Sequence, residues 1–134
     1  MNNEYYVYAC LVNGNLVYVG KGKKDRYLHC TSGTSSCMEL NRDLFKYGKH
    51  RFKVLKVVEN LSEQEAFDME KAVLMWDREG MSLYNRTYGV NSKQSFNEQL
   101  ALEFWFHLES KIDSKFKWNG TSILEEPYGA IHLA

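Results

Sequence analysis

Five features of the sequence carry side chains suited to phosphate chemistry, and they follow one another through the first part of the chain. In order they are Tyr6-Val7-Tyr8, Tyr18-Val19-Gly20, Arg26, Glu70 and Asn85. A guanidinium can hold two phosphate oxygens at once. One carboxylate together with phosphate oxygens suits a hard divalent cation. A phenol, a guanidinium, a carboxylate and a carboxamide in this order therefore predict metal-assisted cutting of a phosphodiester.

The tyrosines lie on two runs that are rich in aromatic and β-branched residues, which is typical of strands. Tyr5–Val12 predicts the first strand and Leu16–Gly20 the second, and Asn13-Gly14 between them is a strong hairpin signal. Residues 21–35 are predicted to form a loop with at most one helical turn. Residues 51–58 are predicted to form a third strand, and residues 83–90 a short extended segment.

Three capping boxes predict three helices. The boxes are Ser36 with Glu39, Ser62 with Glu65 and Ser95 with Glu98, and the helices are expected to end near Gly48, Glu79 and Asp113. The first helix is expected to bury an apolar face formed by Leu40, Leu44 and Phe45. Residues 116–134 are expected to be irregular. The order β-β-α-β-α-α predicts an α+β fold, a small antiparallel three-stranded sheet flanked by helices, with an added C-terminal helix.

Glu70 interrupts the apolar face of the second predicted helix. At about 100° per residue it falls inside the arc of Ala66, Met69 and Val73, whereas Met75 falls on the opposite side. A carboxylate on a core-facing stripe is costly unless it is paired or bound to a metal. Periodicity alone leaves open a metal ligand, a buried ion pair with an arginine and a position at the rim of the sheet.

The order and spacing of these residues over 5–89 resemble the GIY-YIG nuclease superfamily, and in particular its branch with a Tyr-Val-Gly-Lys-Gly loop. The chain departs from the family at Tyr6, where glycine is usual, but this removes no catalytic group. The resemblance implies a catalytic core over 1–90 and a C-terminal helical extension over 91–134. We expect that extension to pack on the core, with a dimer interface or a substrate-selecting element as alternatives.

The resemblance also implies a role for each candidate site residue. Glu70 would bind Mg²⁺ or Mn²⁺, Arg26 would neutralise charge on the phosphoryl group, and Asn85 would support the site through hydrogen bonds. Tyr8 would act as general base, with Tyr18 as its positioning partner. Because a phenol is a poor base at neutral pH, nearby cations and a metal-bound water network would have to favour the phenolate.

The segment that follows the second tyrosine is expected to contact the substrate through Gly20, Lys21, Lys23 and His29. Glycine permits a close backbone approach to phosphate. The net charge is zero, yet residues 21–56 contain ten Lys/Arg against three Asp/Glu, which predicts a phosphate-facing surface. A solvated basic surface is the alternative. His29 matches the family only loosely, and a surface histidine is an equally good interpretation.

The register of the first hairpin decides whether the two tyrosines share a site. A two-residue turn pairs Ala9 with Tyr18 and puts Tyr8 and Tyr18 on opposite faces of the sheet. A three-residue loop over 13–15 pairs Cys10 with Tyr18 and puts both on one face. If the resemblance holds, the longer loop is expected, with a β-bulge at Asn15.

Length and composition bound the class of protein. A chain of 134 residues with ordinary apolar and charged fractions predicts one globular domain. Three cysteines without a close pair predict reduced thiols, and an N-terminus without a signal-peptide pattern predicts an intracellular protein with no membrane partner.

The prediction is a metal-dependent endonuclease, with DNA favoured as the nucleic acid. A noncatalytic nucleic-acid-binding module is the alternative, and monomer or homodimer stays open.

Overall fold

The computed structural model describes residues 3–75, 83–85, 97–111, 116–118 and 123–125. Its strands are β1 (Tyr5–Val12), β2 (Asn15–Lys23), β3 (Phe52–Leu61), β4 (Phe116–Trp118) and β5 (Ile123–Glu125). Its α-helices are α1 (Met38–Tyr47), α2 (Glu63–Met75) and α3 (Glu98–Lys111), and short 3₁₀ helices span Arg26–Thr31 and Lys49–Arg51. No helix in these ranges combines the length and apolarity needed to cross a membrane.

The central sheet has the spatial order β2–β1–β3, with both neighbours antiparallel to β1. The α+β architecture predicted from the element order is therefore confirmed. Lys21 and Lys23 belong to β2 rather than to a loop, because their backbone pairs with β1. The expectation of an irregular tail is also wrong, since β4 and β5 pair as a second, two-stranded antiparallel sheet.

The hairpin between β1 and β2 turns on two residues. Asn13 and Gly14 have φ values of 53° and 84°, as a type I′ turn requires. Val12 pairs with Asn15, so the expected three-residue loop is wrong. The reason is local, because Asn-Gly is well suited to positive φ at both central positions.

A β-bulge at Val17 nevertheless brings the two tyrosines to one face. Leu11 pairs with Leu16 while Cys10 pairs with Tyr18, so two residues of β2 stand opposite one residue of β1. Val17 and Tyr18 consequently both pack on the face that carries Tyr8. The predicted pairing of Cys10 with Tyr18 is confirmed, and the bulge lies two residues beyond the predicted position.

Two of the predicted helix starts differ from the structure. Cys37 is the N-cap of α1 and no side chain caps it, because the Ser35 hydroxyl accepts from the Cys37 N–H instead. At α3 the Asn97 side chain accepts from the Leu100 N–H at 3.2 Å, whereas Ser95 lies outside the described residues. The predicted ends at Glu79 and Asp113 also lie outside them, as do residues 86–90 of the extended segment.

The capping box of α2 is confirmed. The Ser62 N–H donates to Glu65 Oε1 at 2.8 Å, and the Glu65 N–H donates to Ser62 Oγ at 3.1 Å. Met75 is buried in this helix, so its expected position on the outer side is wrong. The wider buried arc is explained by two neighbours, because α2 packs on both the sheet and α3.

Helices cover both faces of the sheet. One face packs against α2 and α3 through an apolar cluster that includes Val7, Ala9 and Leu11 of β1. The other face packs against the 3₁₀ helix Arg26–Thr31 and α1, and it includes Tyr6, Tyr8, Cys10 and Val12. We call these the apolar face and the tyrosine face. Strict alternation along β1 therefore separates the two layers.

Candidate active site

A cavity of about 370 Å³ lies along β2, the edge strand of the central sheet. Its lining comes from β1, β2, the start of the 3₁₀ helix, and α2, and consists of Tyr5, Tyr8, Tyr18, Gly20, Lys21, Gly22, Lys23, Arg26, Glu63 and Glu70. Tyr8 and Tyr18 belong to the tyrosine face, whereas Glu70 comes from α2 on the apolar face. The two helical layers thus meet at this edge, and four of the five predicted catalytic residues line the same cavity.

The two tyrosines stack beside each other within this cavity. Their ring centroids are 6.2 Å apart with an interplanar angle of 28°. Tyr8 is buried and Tyr18 is half-buried. The stacking follows from the Val17 bulge, since without it Tyr18 would point to the apolar face.

Gly20 and Gly22 are required by the side chains that lie over them. A Cβ at Gly20 would stand 2.6 Å from the Tyr8 ring carbon Cζ, and a Cβ at Gly22 would stand 2.7 Å from Arg26 Cβ. Real Cβ atoms do not approach so closely. The glycines were expected to leave room for phosphate, but the space above them is filled by Tyr8 and by the stem of Arg26.

Tyr6 forms hydrogen bonds with the segment that carries Arg26. Its hydroxyl donates to the Lys24 carbonyl at 2.7 Å and accepts from the Tyr27 N–H at 3.1 Å. The Lys56 ammonium lies 4.8 Å from the Tyr6 ring centroid and 4.9 Å from that of Tyr27. These contacts hold the backbone on both sides of Arg26, whose own side chain is exposed to solvent.

His29 belongs to the site through Tyr8. Its Nε2 lies 2.7 Å from the Tyr8 hydroxyl, and its ring centroid is 5.3 Å from that of Tyr18. The interpretation of His29 as a free surface histidine is therefore wrong, because the 3₁₀ helix folds its imidazole against both phenols. Cys30 Sγ also lies 3.7 Å from Nε2.

Ser35 and Asn41 complete this arrangement, and the sequence analysis missed both. The Ser35 hydroxyl lies 2.7 Å from His29 Nδ1 and accepts from the Cys37 N–H at 3.0 Å. Asn41 donates to the Ser35 carbonyl at 2.7 Å and accepts from the Ser35 N–H at 2.9 Å. The serine-rich run before α1 gave no signal that one buried serine would face an imidazole.

The tautomer of His29 decides the direction of proton movement. If Nδ1 carries the hydrogen, it donates to Ser35 Oγ and Nε2 is free to accept from the Tyr8 hydroxyl. Ser35 Oγ then accepts from two donors, His29 and the Cys37 N–H, which its two lone pairs allow. The structure thus offers a continuous path from the cavity through Tyr8 to His29.

Burial controls the ionisation of Tyr8 and Tyr18. Removal from water raises the pKa of the Tyr8 phenol far above its ordinary value of 10.0, and it raises the pKa of Tyr18 in the same direction. The Arg26 charge acts in the opposite sense on both groups but is the smaller effect. The expectation that nearby cations favour a Tyr8 phenolate is therefore opposed by burial, and Tyr8 is held as a neutral hydroxyl.

Asn85 supports the edge of the sheet beside the tyrosines. Its carboxamide donates to the Val19 carbonyl at 2.6 Å and accepts from the Val19 N–H at 3.1 Å. Tyr84, just before it, donates its N–H to the carbonyl of the bulged Val17 at 2.6 Å. The segment 83–85 thus satisfies backbone groups on both sides of Tyr18, although Asn85 itself does not line the cavity.

The lysines of the cavity are already paired with acidic side chains. Lys21 Nζ lies 3.4 Å from Glu63 Oε2, and Lys23 Nζ lies 3.8 Å from Glu4 Oε2. Both ammonium groups also lie within 5.5 Å of the Tyr5 ring centroid. Exposed pairs of this kind are weak, so an incoming phosphate can exchange with these carboxylates.

Glu70 is the carboxylate best placed to hold a divalent cation. It is half-buried on α2 and lines the cavity with three phenols and a guanidinium. In the part of the chain that the structure describes, no group of three or more His, Cys, Asp or Glu side chains could hold a metal ion together. A single carboxylate among hydroxyl groups fits a Mg²⁺-like cation that keeps waters and takes further oxygens from a phosphate.

None of the three cysteines, all of which lie in the described part of the chain, forms a disulfide. Cys10 and Cys30 are buried side by side on the tyrosine face. The hydrogen bond between their side chains lowers the pKa of the Cys30 thiol and raises that of Cys10.

The chain matches no protein-family model, no curated protein and no solved structure.

Proposed function

We propose that the protein is a metal-dependent endonuclease of the GIY-YIG type that hydrolyses phosphodiester bonds in nucleic acid, with DNA as the favoured substrate. The observation that carries the proposal is the convergence of Tyr8, Tyr18, Arg26 and Glu70 on one cavity. These residues come from four separate segments of the chain. Their joint position next to a Tyr8–His29 hydrogen bond suits acid–base chemistry on a phosphate.

In this proposal the phenol relays a proton and the imidazole receives it. The oxygen of a water attacks phosphorus, its proton passes to Tyr8 Oη, and the Tyr8 proton passes to His29 Nε2. Tyr8 stays neutral throughout, which agrees with the raised pKa of its phenol. The bond from phosphorus to the 3′ oxygen breaks, leaving a 5′-phosphate and a 3′-hydroxyl that takes its proton from solvent.

Three other groups hold the reacting parts in place. Arg26 lines the cavity and offers a fork of N–H donors to the phosphoryl oxygens, whose charge grows during attack. Glu70 would hold a divalent cation, which when bound polarises the phosphate and stabilises the leaving oxygen. Asn85 fixes the backbone of β2 on one side of Tyr18.

The test is cleavage of supercoiled plasmid in Mg²⁺ by the wild type and by Glu70→Gln, which keeps the side-chain shape and removes its charge. We expect nicked or linear product from the wild type, and a loss of about a hundredfold or more in the variant. The product form also shows whether one strand or both strands are cut.

Glu63→Gln is the matched control because Glu63 lies on the same helix and lines the same cavity. Its carboxylate is exposed and engaged with Lys21, so we expect cleavage to persist. Equal cutting by wild type and Glu70→Gln would rule out the assigned metal ligand. Binding of nucleic acid without any cutting, across plasmid, branched and single-stranded DNA and RNA, would indicate a noncatalytic binding module instead.

A further inference from the structure

The outer side of α1 carries a fully exposed aromatic ring. The sequence pattern placed Phe45 on the buried side with Leu40 and Leu44, but Phe45 is 95% exposed. Leu40 is buried and Leu44 is half-buried, so the helix turns a narrower face to the sheet than expected. Because its ring buries almost no area in the fold, Phe45 contributes little to stability, and its exposure suggests that it contacts another molecule.

Phe45 lies in a ridge whose other members are mostly cationic. Met38, Arg42, Phe45 and Lys49 are spaced by four, three and four residues, which places them in a line along α1 and into the 3₁₀ helix that follows. All four are exposed, as is Lys46, whose ammonium lies 5.2 Å from the Tyr47 ring centroid. Arg42 is ion-paired with Asp43 at 2.9 Å but its guanidinium stays exposed, and Lys46 and Lys49 add two further positive charges along the ridge. An exposed aromatic ring together with cations is the combination that binds a nucleic acid base and its neighbouring phosphates.

The ridge is physically joined to the candidate active site. Arg42 donates to the Tyr84 hydroxyl at 3.2 Å, and its guanidinium carbon lies 5.6 Å from the Tyr84 ring centroid. The Tyr84 N–H donates to the carbonyl of Val17, the residue before Tyr18. Because Leu40 of α1 packs in the same cluster as Tyr8, α1 lies on the same face of the sheet as the two tyrosines of the candidate site.

A second exposed phenylalanine shows that exposure alone would not identify such a surface. Phe106 of α3 is 71% exposed, but α3 belongs to the apolar face. Its residues 98–111 contain three glutamates and one lysine, whereas residues 38–51 contain four Lys/Arg and two acids. The charge around Phe45 therefore suits a polyanion, and the charge around Phe106 opposes one.

We propose that the ridge of α1 binds an unpaired base of the substrate, stacked on Phe45, with the adjoining phosphates held by Arg42, Lys46 and Lys49. The proposal rests on the nuclease function and deepens it by naming the substrate class. That class is nucleic acid with a single-stranded segment next to the cleaved phosphodiester. In an intact duplex the base faces are already stacked, so the ring of Phe45 has no partner there.

The experiment measures binding in EDTA, which prevents cleavage, using fluorescence anisotropy. The probes are a labelled single-stranded DNA 15-mer containing 2-aminopurine and the corresponding blunt duplex, and the proteins are wild type, Phe45→Ala, Phe45→Trp and Phe106→Ala. We expect Phe45→Ala to weaken single-strand binding by about tenfold and duplex binding by less than about twofold. Phe45→Trp retains single-strand binding, and Phe106→Ala matches the wild type. The 2-aminopurine fluorescence falls on binding to the wild type but not to Phe45→Ala.

Other results overturn the proposal, and they separate its failure from that of the nuclease function. Unchanged single-strand binding by Phe45→Ala, with plasmid cleavage intact, rejects the base-stacking site and leaves the nuclease proposal standing. An equal loss on both probes means that Phe45 supports a general phosphate surface and not an unpaired base. Conversion of a wild-type dimer to a monomer by Phe45→Ala, seen by sedimentation, assigns the ridge to a second copy of the chain. Absence of binding to the single-stranded probe by the wild type rejects the base-stacking site, whereas the nuclease proposal is decided separately by plasmid cleavage in Mg²⁺.

Discussion

The two faces of the central sheet are built from alternate residues of the same strand, yet they contain different chemistry. Towards α2 and α3, β1 presents Val7, Ala9 and Leu11 to an apolar cluster with Phe104 and Leu108. Towards the 3₁₀ helix and α1, β1 presents Tyr6, Tyr8 and Cys10. A single residue of register would exchange these roles, so the register of β1 controls both stability and the candidate site.

The hydrogen-bonded tyrosines of the candidate site lie on one side of the sheet, whereas the other side is apolar and contributes Glu70 only at the shared edge. Three hydroxyls on the tyrosine face have defined contacts, from Tyr6 to Lys24, from Tyr8 to His29 and from Tyr84 to Asp43. Such groups are costly to bury without partners. The apolar face packs without that requirement, so changes there should affect folding, and changes on the tyrosine face should affect chemistry.

The largest effect is expected on the apolar face. Phe104 is fully buried and stacks edge-on against Trp105 at a centroid distance of 5.2 Å. Phe104→Ala should lower the free energy of unfolding by about 3–5 kcal/mol, because it removes buried area and leaves a cavity. Urea denaturation followed by fluorescence measures the change.

Phe106→Ala is the control for that measurement, since it truncates the same side chain on the same helix where it is exposed. Its cost should stay below about 0.5 kcal/mol. Similar costs at the two positions would show that α3 is not anchored on the sheet through Phe104, and the contrast between the faces would lose its main support.

A smaller effect, confined to activity, is expected at Ser35. Ser35→Ala removes the hydroxyl that faces His29 Nδ1, so the imidazole is no longer fixed for proton transfer from Tyr8. We expect kcat to fall about tenfold with KM unchanged, which is the pattern for a group that acts on the transition state alone. Steady-state cleavage of a labelled oligonucleotide provides both constants.

Two further variants separate a positioning role from a general loss of structure. Ser35→Thr keeps the hydroxyl and should restore most of kcat, while Ser36→Ala changes the exposed neighbouring serine and should have no effect. If Ser35→Ala instead raises KM and lowers the unfolding midpoint together, the hydroxyl supports the fold of residues 32–37 and does not orient His29.

The smallest effect is a pH-dependent contribution from the tyrosine face. Burial, assisted by the hydrogen bond to Asp43, raises the pKa of Tyr84 to about 12 from an ordinary value of 10.0. The folded protein therefore holds this proton more tightly than the unfolded chain, and the resulting stability is complete below pH 10 and is lost as the pH rises towards 12. Burial on the apolar face titrates no group, so its contribution is independent of pH.

Urea unfolding of wild type and Tyr84→Phe at several pH values tests this sign. The free energy of unfolding of the wild type minus that of the variant should be constant below pH 10 and should decrease above it. If the wild type instead becomes more stable relative to the variant as the pH rises above 10, the folded state favours the phenolate, contrary to the contact with Asp43.

The candidate site could be predicted from sequence only in part. Glu70 and Arg26 stand out because a carboxylate in an apolar arc and an arginine after a glycine loop are local patterns, and both line the cavity. Ser35 and Asn41 have no such pattern, since the contacts of Ser35 with His29 and of Asn41 with Ser35 depend on how the chain folds back before α1. Phe45 was misplaced for a related reason, because periodicity indicates an apolar side of α1 but not how wide a face the sheet covers.

Three features depend on near neighbours in the chain: the Asn13-Gly14 turn, the Ser62–Glu65 capping box and the alternation of β1. The other features depend on the packed fold. The bulge at Val17, which overrides the register imposed by the turn, and the contacts of Tyr8 with His29 and of Asn85 with Val19 join residues far apart in the chain. Such contacts depend on the packing of both helical layers around β1, and no local pattern encodes them.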